Sequence, residues 1–392
     1  MSHPDGISTA THLNSRSHLL AVAAGIFTLA AGVAGWSDFR QLAFSYLLVF
    51  LFFFTICAGC LFWILVHHTT GARWSIVVRR QLENAAALLV VLAVLFLPLV
   101  VFAPSIWSWM TVPAGTDPVL DAKRAYLVPW FFWGRSAFYL LFFAVAALLL
   151  RSASVHQDSD GSPRWNARCR KLSLAGLPLF ALAITFASID WLMGLDYRWS
   201  STIWGVYCFA GSALSGLCLL VLIVSALRAK GMLATVVSRD HYQLMGRLLL
   251  AFTMFWAYIA YSQYMLIWYA NIPEETAYFA LRSSGGWRFF GLALLAGHFL
   301  IPFLLLLPAD WKRRPAFLCL VAAWLLAMHF LDLYLVVMPI LSPASPPISW
   351  PCIFCLLAFA CILSAAFIRL LASSVAWPAR DPHLDESINT KI

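Results

Sequence analysis

Charge is what this sequence has least of. Only 11% of its 392 residues are Asp, Glu, Lys or Arg, while 62% are hydrophobic. A soluble globular domain carries about 25% charged residues, so this composition excludes a water-soluble fold. The sequence also lacks a glycine-rich phosphate loop, a dinucleotide fingerprint and an iron–sulfur cysteine cluster. Of its ten histidines only His298 and His329 fall inside predicted membrane helices. That is too few for the facing axial pairs of a two-haem cytochrome b. The nine cysteines are scattered; Cys57 and Cys60, like Cys352 and Cys355, form a CxxC inside an apolar run. A thiolate metal site needs more ligands nearby, so these read as packing residues. The net charge of +9 suggests nucleic acid at first sight. Its cations, however, lie between apolar segments, and no basic tract is interleaved with aromatics.

What is present is apolar length. Ten runs reach the ~20 residues needed to cross a hydrocarbon core. They lie near 18–36, 40–66, 82–103, 127–150, 173–193, 202–227, 244–270, 286–308, 315–338 and 350–373. The first, with Arg16 before it and small residues from Ala31 to Gly35, reads as a retained helix rather than a signal peptide. Alternate connections are basic, carrying Arg73, Arg79 and Arg80, then Arg164, Arg168 and Lys171, then Arg228 and Arg239, then Lys312 to Arg314. The opposite connections hold Asp117, Asp121, Glu274 and Glu275. The positive-inside rule therefore predicts that both termini are cytoplasmic.

A short echo relates the two halves. Val77-Val78-Arg79-Arg80 before the third span matches Val236-Val237-Ser238-Arg239 before the seventh, and SIDWLM around Asp190 matches HFLDLY around Asp332. Four spans preserve orientation, so the repeat would be parallel. The expectation is one integral membrane domain, an all-α membrane protein of about ten transmembrane helices. Two parallel-repeated four-helix bundles, 40–193 and 202–338, would be flanked by the first and tenth helices.

Few polar groups lie within this apolar mass, and they are the candidates for function. Asp190 and Asp332 each lie about 25 Å along their helices from the basic side. His329 precedes Asp332 by three residues and shares its face. Tyr258, Tyr261 and Tyr264 form a stripe beside Gln263; His298 lies near the midplane, and Arg135 opens the fourth span. Polar groups at such depth are costly and usually face a bundle interior or a wet cavity. A quinone head group needs this kind of lining: proton-exchanging groups for its two oxygens and aromatic walls for its ring and tail. The same residues equally suit a proton path without quinone. Plainer readings stand beside these. A membrane aspartate often only pairs with a cation such as Arg135, His298 reads as a satisfied core histidine, and the tyrosines read as helix packing. Gly211, Ser212, Ser215 and Gly216 read as a close helix contact. Glu83 suits a helix N-terminus and offers a proton entry from the basic side.

The stretches ASIDWLMGLD, WSSTIWGVYCFAGS, RDHYQLMGRLLLAFTMFWAYIAYSQYMLIWYANIPEET, HFLIPFLLL and MHFLDLYLVVMP resemble the ActF family. That family comprises quinone-binding-type membrane subunits of bacterial alternative complex III, within the NrfD or polysulfide-reductase membrane-subunit superfamily. The resemblance covers about 40–338. It implies a multi-pass subunit of the bacterial inner membrane in a respiratory quinol:electron-acceptor oxidoreductase. Its partners would be membrane lipid, a sister NrfD-like subunit, and extrinsic iron–sulfur and c-type haem subunits. Asp190, Asp332 and His329 would transfer protons. Tyr258, Tyr261, Tyr264, Gln263, Arg135 and His298 would line a quinone pocket or proton path near the outer face. Quinone or quinol is the expected ligand, with no haem, iron–sulfur cluster or metal held by this chain. In the sister subunit a histidine accompanies the aspartate, whereas here the fourth span offers Arg135 and Tyr139. That departure points toward a proton-conducting or structural contribution. Two further readings are a proton-coupled transporter and a purely structural anchor for extrinsic redox subunits.

Overall fold

Runs that must bury every backbone polar group in lipid have one open-ended solution, the helix. The computed structural model describes the backbone of residues 5–392 and side chains from Ser15 onward, and among them there is no strand. The first helices are α1 (Asp5–Ala34), α2 (Phe39–Thr70), α3 (Ile76–Ala87), α4 (Leu89–Leu95), α5 (Pro98–Ile106) and the short α6 (Pro118–Lys123). Then come α7 (Pro129–Asp160), α8 (Arg164–Trp191), α9 (Trp204–Ala229), α10 (Arg239–Ala270), α11 (Pro273–Ser283) and α12 (Trp287–Leu294). A π-helical turn (Leu295–Leu300) leads into α13 (Ile301–Leu306), followed by α14 (Ala309–Lys312), α15 (Pro315–Leu341), α16 (Trp350–Ala372) and α17 (Leu384–Ile388). Among the described residues nine helices are long and apolar enough to cross a membrane, and up to ten if one bent pair counts as a single span.

That pair is the third predicted span, which is not straight. It bends by 68° between Leu95 and Pro98. Proline lacks the amide that would continue the ladder and its ring clashes with the preceding turn, so the helix restarts with Pro98 in its first turn. The eighth predicted span is likewise interrupted. Its π turn ends just before Pro302, where another amide is missing. Several helices outrun their apolar cores. α7 and α10 each have 32 residues, about 48 Å, against the ~30 Å of a bilayer core. α7 stops at Gly161, whose φ of 66° is the left-handed conformation that favours glycine.

The centre of the molecule is the crossing of α2 and α9, around which α3, α8, α10, α15 and α16 pack; α1 lies against α16. The crossing is backbone on backbone. A Cβ on Gly59 would stand 1.8 Å from the Ser212 carbonyl oxygen, and one on Gly216 would meet the Gly59 backbone at 2.6 Å. Trp63 locks the register by donating to the Ala213 carbonyl at 2.8 Å. The small residues expected at 211–216 therefore do what their size allows.

The basic end of the bundle is strapped by the residues after α16. Arg79 pairs with Asp381 at 2.7 Å, Gln81 donates to the Ala376 carbonyl at 2.6 Å, and Ser387 donates to the Trp74 carbonyl at 2.9 Å. At the opposite end, α6 and α11 lie between the spans, and Asp117 ties the two loops there by accepting from Tyr197 and Arg198.

Candidate functional site

A cavity of about 990 Å³ lies between α9, α10, α12 and α15 near the end opposite the strap, with α11 as its roof. Asp332 is the one acid among its lining residues. It sits 17 residues into α15, where helical rise carries it about 25 Å from the basic end. Its carboxylate accepts from the Tyr207 hydroxyl on α9, and from the Trp256 indole N–H on α10 at 3.2 Å. Neither donor is a cation, and among the described residues no Lys or Arg is paired with it. Two neutral donors hold the group in place without neutralising it.

The roof follows from local backbone chemistry. Asn271 ends α10 in the left-handed region at φ 49°, which turns the chain back over the cavity as α11. Pro339 leaves the Leu335 carbonyl of α15 without its helical donor. Arg282 of α11 supplies one, donating to Leu335 at 3.0 Å and to Val336 at 2.6 Å. Its guanidinium also lies 3.5 Å from the Tyr278 ring centroid, a cation–π contact. Burial pushes the Tyr278 hydroxyl up to about 12, so it remains a neutral member of the roof.

Toward the bilayer the cavity is open between α10 and α12. Tyr258 and Tyr261 are 67% and 63% exposed, and Leu292 of α12 and Leu295 of the π turn line the same opening. Arg288 lies at the rim. Tyr264 is edge-on to Phe279 of the roof at 5.3 Å. The three tyrosines thus line a mouth rather than a packed helix contact. Gln263 is buried behind them, lines the same cavity, and its side-chain oxygen has no hydrogen-bond partner.

The two membrane histidines stand behind the cavity wall. His298 is in the π turn, stacked on Trp256 with centroids 3.9 Å apart, and neither ring nitrogen has a partner. His329 shares the helix with Asp332 yet does not meet the cavity. Its Nε2 hydrogen bonds with Thr55 of α2 at 2.9 Å, and its ring presses on the space above Gly211. Neither histidine is hydrogen-bonded to Asp332.

Asp190 and Arg135 lie elsewhere. Arg135 grips Asp190 with two N–H···O bonds of 2.8 Å, Tyr139 adds a third at 2.9 Å, and both residues are absent from the cavity lining. The guanidinium is sandwiched between Tyr126 and Phe131 at 3.8 and 4.2 Å. This corrects the expectation that both aspartates and Arg135 share one polar lining: bidentate, stacked arginine makes Asp190 part of a closed ion pair. Glu83, the candidate entry from the basic side, is likewise held by Arg79 at 3.5 Å and Arg80 at 3.1 Å.

Sequence reasoning did not single out Tyr207, Trp256, Tyr278 or Arg282 for this site. Trp256 carried a usable signal, since it lies seven residues before Gln263 and so on the same helix face. Tyr207 and Arg282 carried none, because each is defined by a carbonyl or carboxylate on another helix. The finished arrangement can hold an amphiphile: a flat polar ring beside Asp332 and an apolar tail through the tyrosine-lined mouth. No protein-family model matches this chain, and no curated protein matches it.

Proposed function

We propose that this chain is an integral membrane subunit of a respiratory quinol:electron-acceptor oxidoreductase of the ActF kind, and that the cavity beside Asp332 is its quinol pocket. The observation that carries the reading is a cavity of about 990 Å³, open between two apolar helices, with aromatic walls and one carboxylate held only by neutral donors. A quinol that gives up two electrons also releases two protons. Asp332, at one end of the ring, takes one of them, and the second leaves to solvent at the end of the molecule opposite the strap. The electrons pass to a partner, an extrinsic iron–sulfur or c-type haem subunit beside a sister membrane subunit.

Helix packing supports the rest of the reading. α2, α3, α7 and α8 neighbour one another in a ring, and α9, α10, α13 and α15 do the same. This arrangement supports the reading of two four-helix bundles repeated in parallel, with α1 and α16 beside them. Asp190 and Asp332 then occupy matching places, one closed by Arg135 and one open. The basic end carries the loop cations, which supports a bacterial inner-membrane orientation with both termini cytoplasmic. A proton-coupled transporter is the weaker reading, since Trp256 separates Asp332 from His298 and the two histidines do not extend a hydrogen-bonded path. The closed Asp190 pair favours an anchoring role for the first half.

The test is Asp332→Asn in the assembled complex. Quinol-dependent turnover with its proton release is expected to fall at least tenfold, the low end of a lost general-base contribution, while the haem and iron–sulfur polypeptides still co-purify. Unchanged turnover and proton release overturn the pocket; a chain that purifies alone with full function overturns the subunit.

A further inference from the structure

Proton transfer at Asp332 leaves one buried polar group of the cavity unused. Gln263 is 5% exposed, and its side-chain oxygen is buried with no partner. Native proteins rarely leave such an atom unmet, because the lost hydration is not replaced. Gln263 lines the same cavity as Asp332, from a position farther along α10 than the tryptophan that holds that carboxylate. Trp256 donates to Asp332; Gln263 follows on the same face two turns later, about 10 Å along α10.

We propose, resting on the quinol reading above, that Gln263 anchors the second ring oxygen, in both the reduced and the oxidised state. A primary amide has both a donor and an acceptor. Its N–H₂ donates to the carbonyl of a quinone, and after a half-turn of the amide its oxygen accepts from the hydroxyl of a hydroquinone. The two ends of the cavity therefore divide the work. Asp332 meets one ring oxygen and Gln263 the other, each as a hydrogen-bond partner of the bound ring. The wide tyrosine-lined mouth leaves the tail on the lipid side, so the cavity recognises a ring with two oxygens rather than a particular tail.

The experiment measures binding to the full-length chain in lipid nanodiscs, by quenching of the tryptophans that line the cavity. Three probes carry the same short alkyl tail: a para-benzoquinone, its hydroquinone, and the phenol lacking the second oxygen. Gln263→Leu is expected to weaken the quinone and the hydroquinone each about tenfold and to leave the phenol unchanged. Gln263→Glu, an acceptor when ionised, is expected to weaken the quinone more than the hydroquinone. If Gln263→Leu weakens the phenol as much as the others, the residue only supports the fold and the anchor is overturned. It is overturned equally if the variant leaves all three affinities unchanged. If the unaltered chain binds none of the probes, the quinol reading itself fails, and the anchor with it.

Discussion

At Asp190 the carboxylate oxygens are taken by a guanidinium fork and Tyr139; at Asp332 they are taken by a hydroxyl and an indole. The first arrangement neutralises a buried charge, and removing one partner leaves the other uncompensated. Arg135→Ala is therefore expected to destabilise the chain by about 3 kcal/mol or more. The double change of Arg135 and Asp190 to Leu should recover most of that loss, as thermal unfolding in detergent would measure. Outside the membrane, Asp117 supplies a pH response. Hydrogen bonds from Tyr197 and then Arg198 lower its carboxyl to about 2. Because the folded value lies below the ordinary one, the tie between the two loops is intact above pH ~4 and is lost as pH falls toward 2. Hydrogen exchange over 193–203 should rise across that window, and Asp117→Asn should show the raised exchange already at neutral pH.

Among the elements, the α2–α9 crossing has the least tolerance. A methyl group at Gly59 would lie 1.8 Å from backbone that cannot rotate away, so the helices must separate. Overpacking of this kind costs about 1–3 kcal/mol or more. Gly59→Ala is expected to lower the thermal midpoint and to break the Trp63–Ala213 hydrogen bond, which a shift in tryptophan emission would register. Gly25 and Gly32 of α1 have nothing within 4 Å of the same added atom, and alanine there should leave the midpoint unchanged. The contrast separates glycines that set helix distance from glycines that merely occur in a helix.

Over the whole molecule, the chain after α16 joins helices that are far apart in sequence. Arg79 meets Asp381, Arg80 reaches the Val375 carbonyl and Asp158, and the Ala379 amide also reaches Asp158. Truncation after Ser373 strips Asp381 from a buried arginine and uncaps the basic ends of α3 and α7. The expected result is loss of about 3 kcal/mol or more, with protease sensitivity appearing between α2 and α3. The cavity lies at the other end, so binding of the quinone probes by the surviving folded fraction should keep its affinity. A parallel loss of affinity would mean the two ends are coupled.

The sequence by itself determined the helices, their approximate spans, the basic and acidic ends, and the depth of Asp190, Asp332 and His329, because rise per residue and hydropathy act along one chain. It also held the contact at 211–216, since small residues have few other uses on a buried helix. The break at Pro98 and the π turn before Pro302 were implicit in those prolines, but the angle at Pro98 depends on what packs against the freed carbonyls. Only the tertiary structure decided which aspartate met Arg135 and which opened onto a cavity. Helix periodicity names a face, but not the helix that face meets. The donors that close one acid and leave the other free come from α7 in the first case and from α9 and α10 in the second.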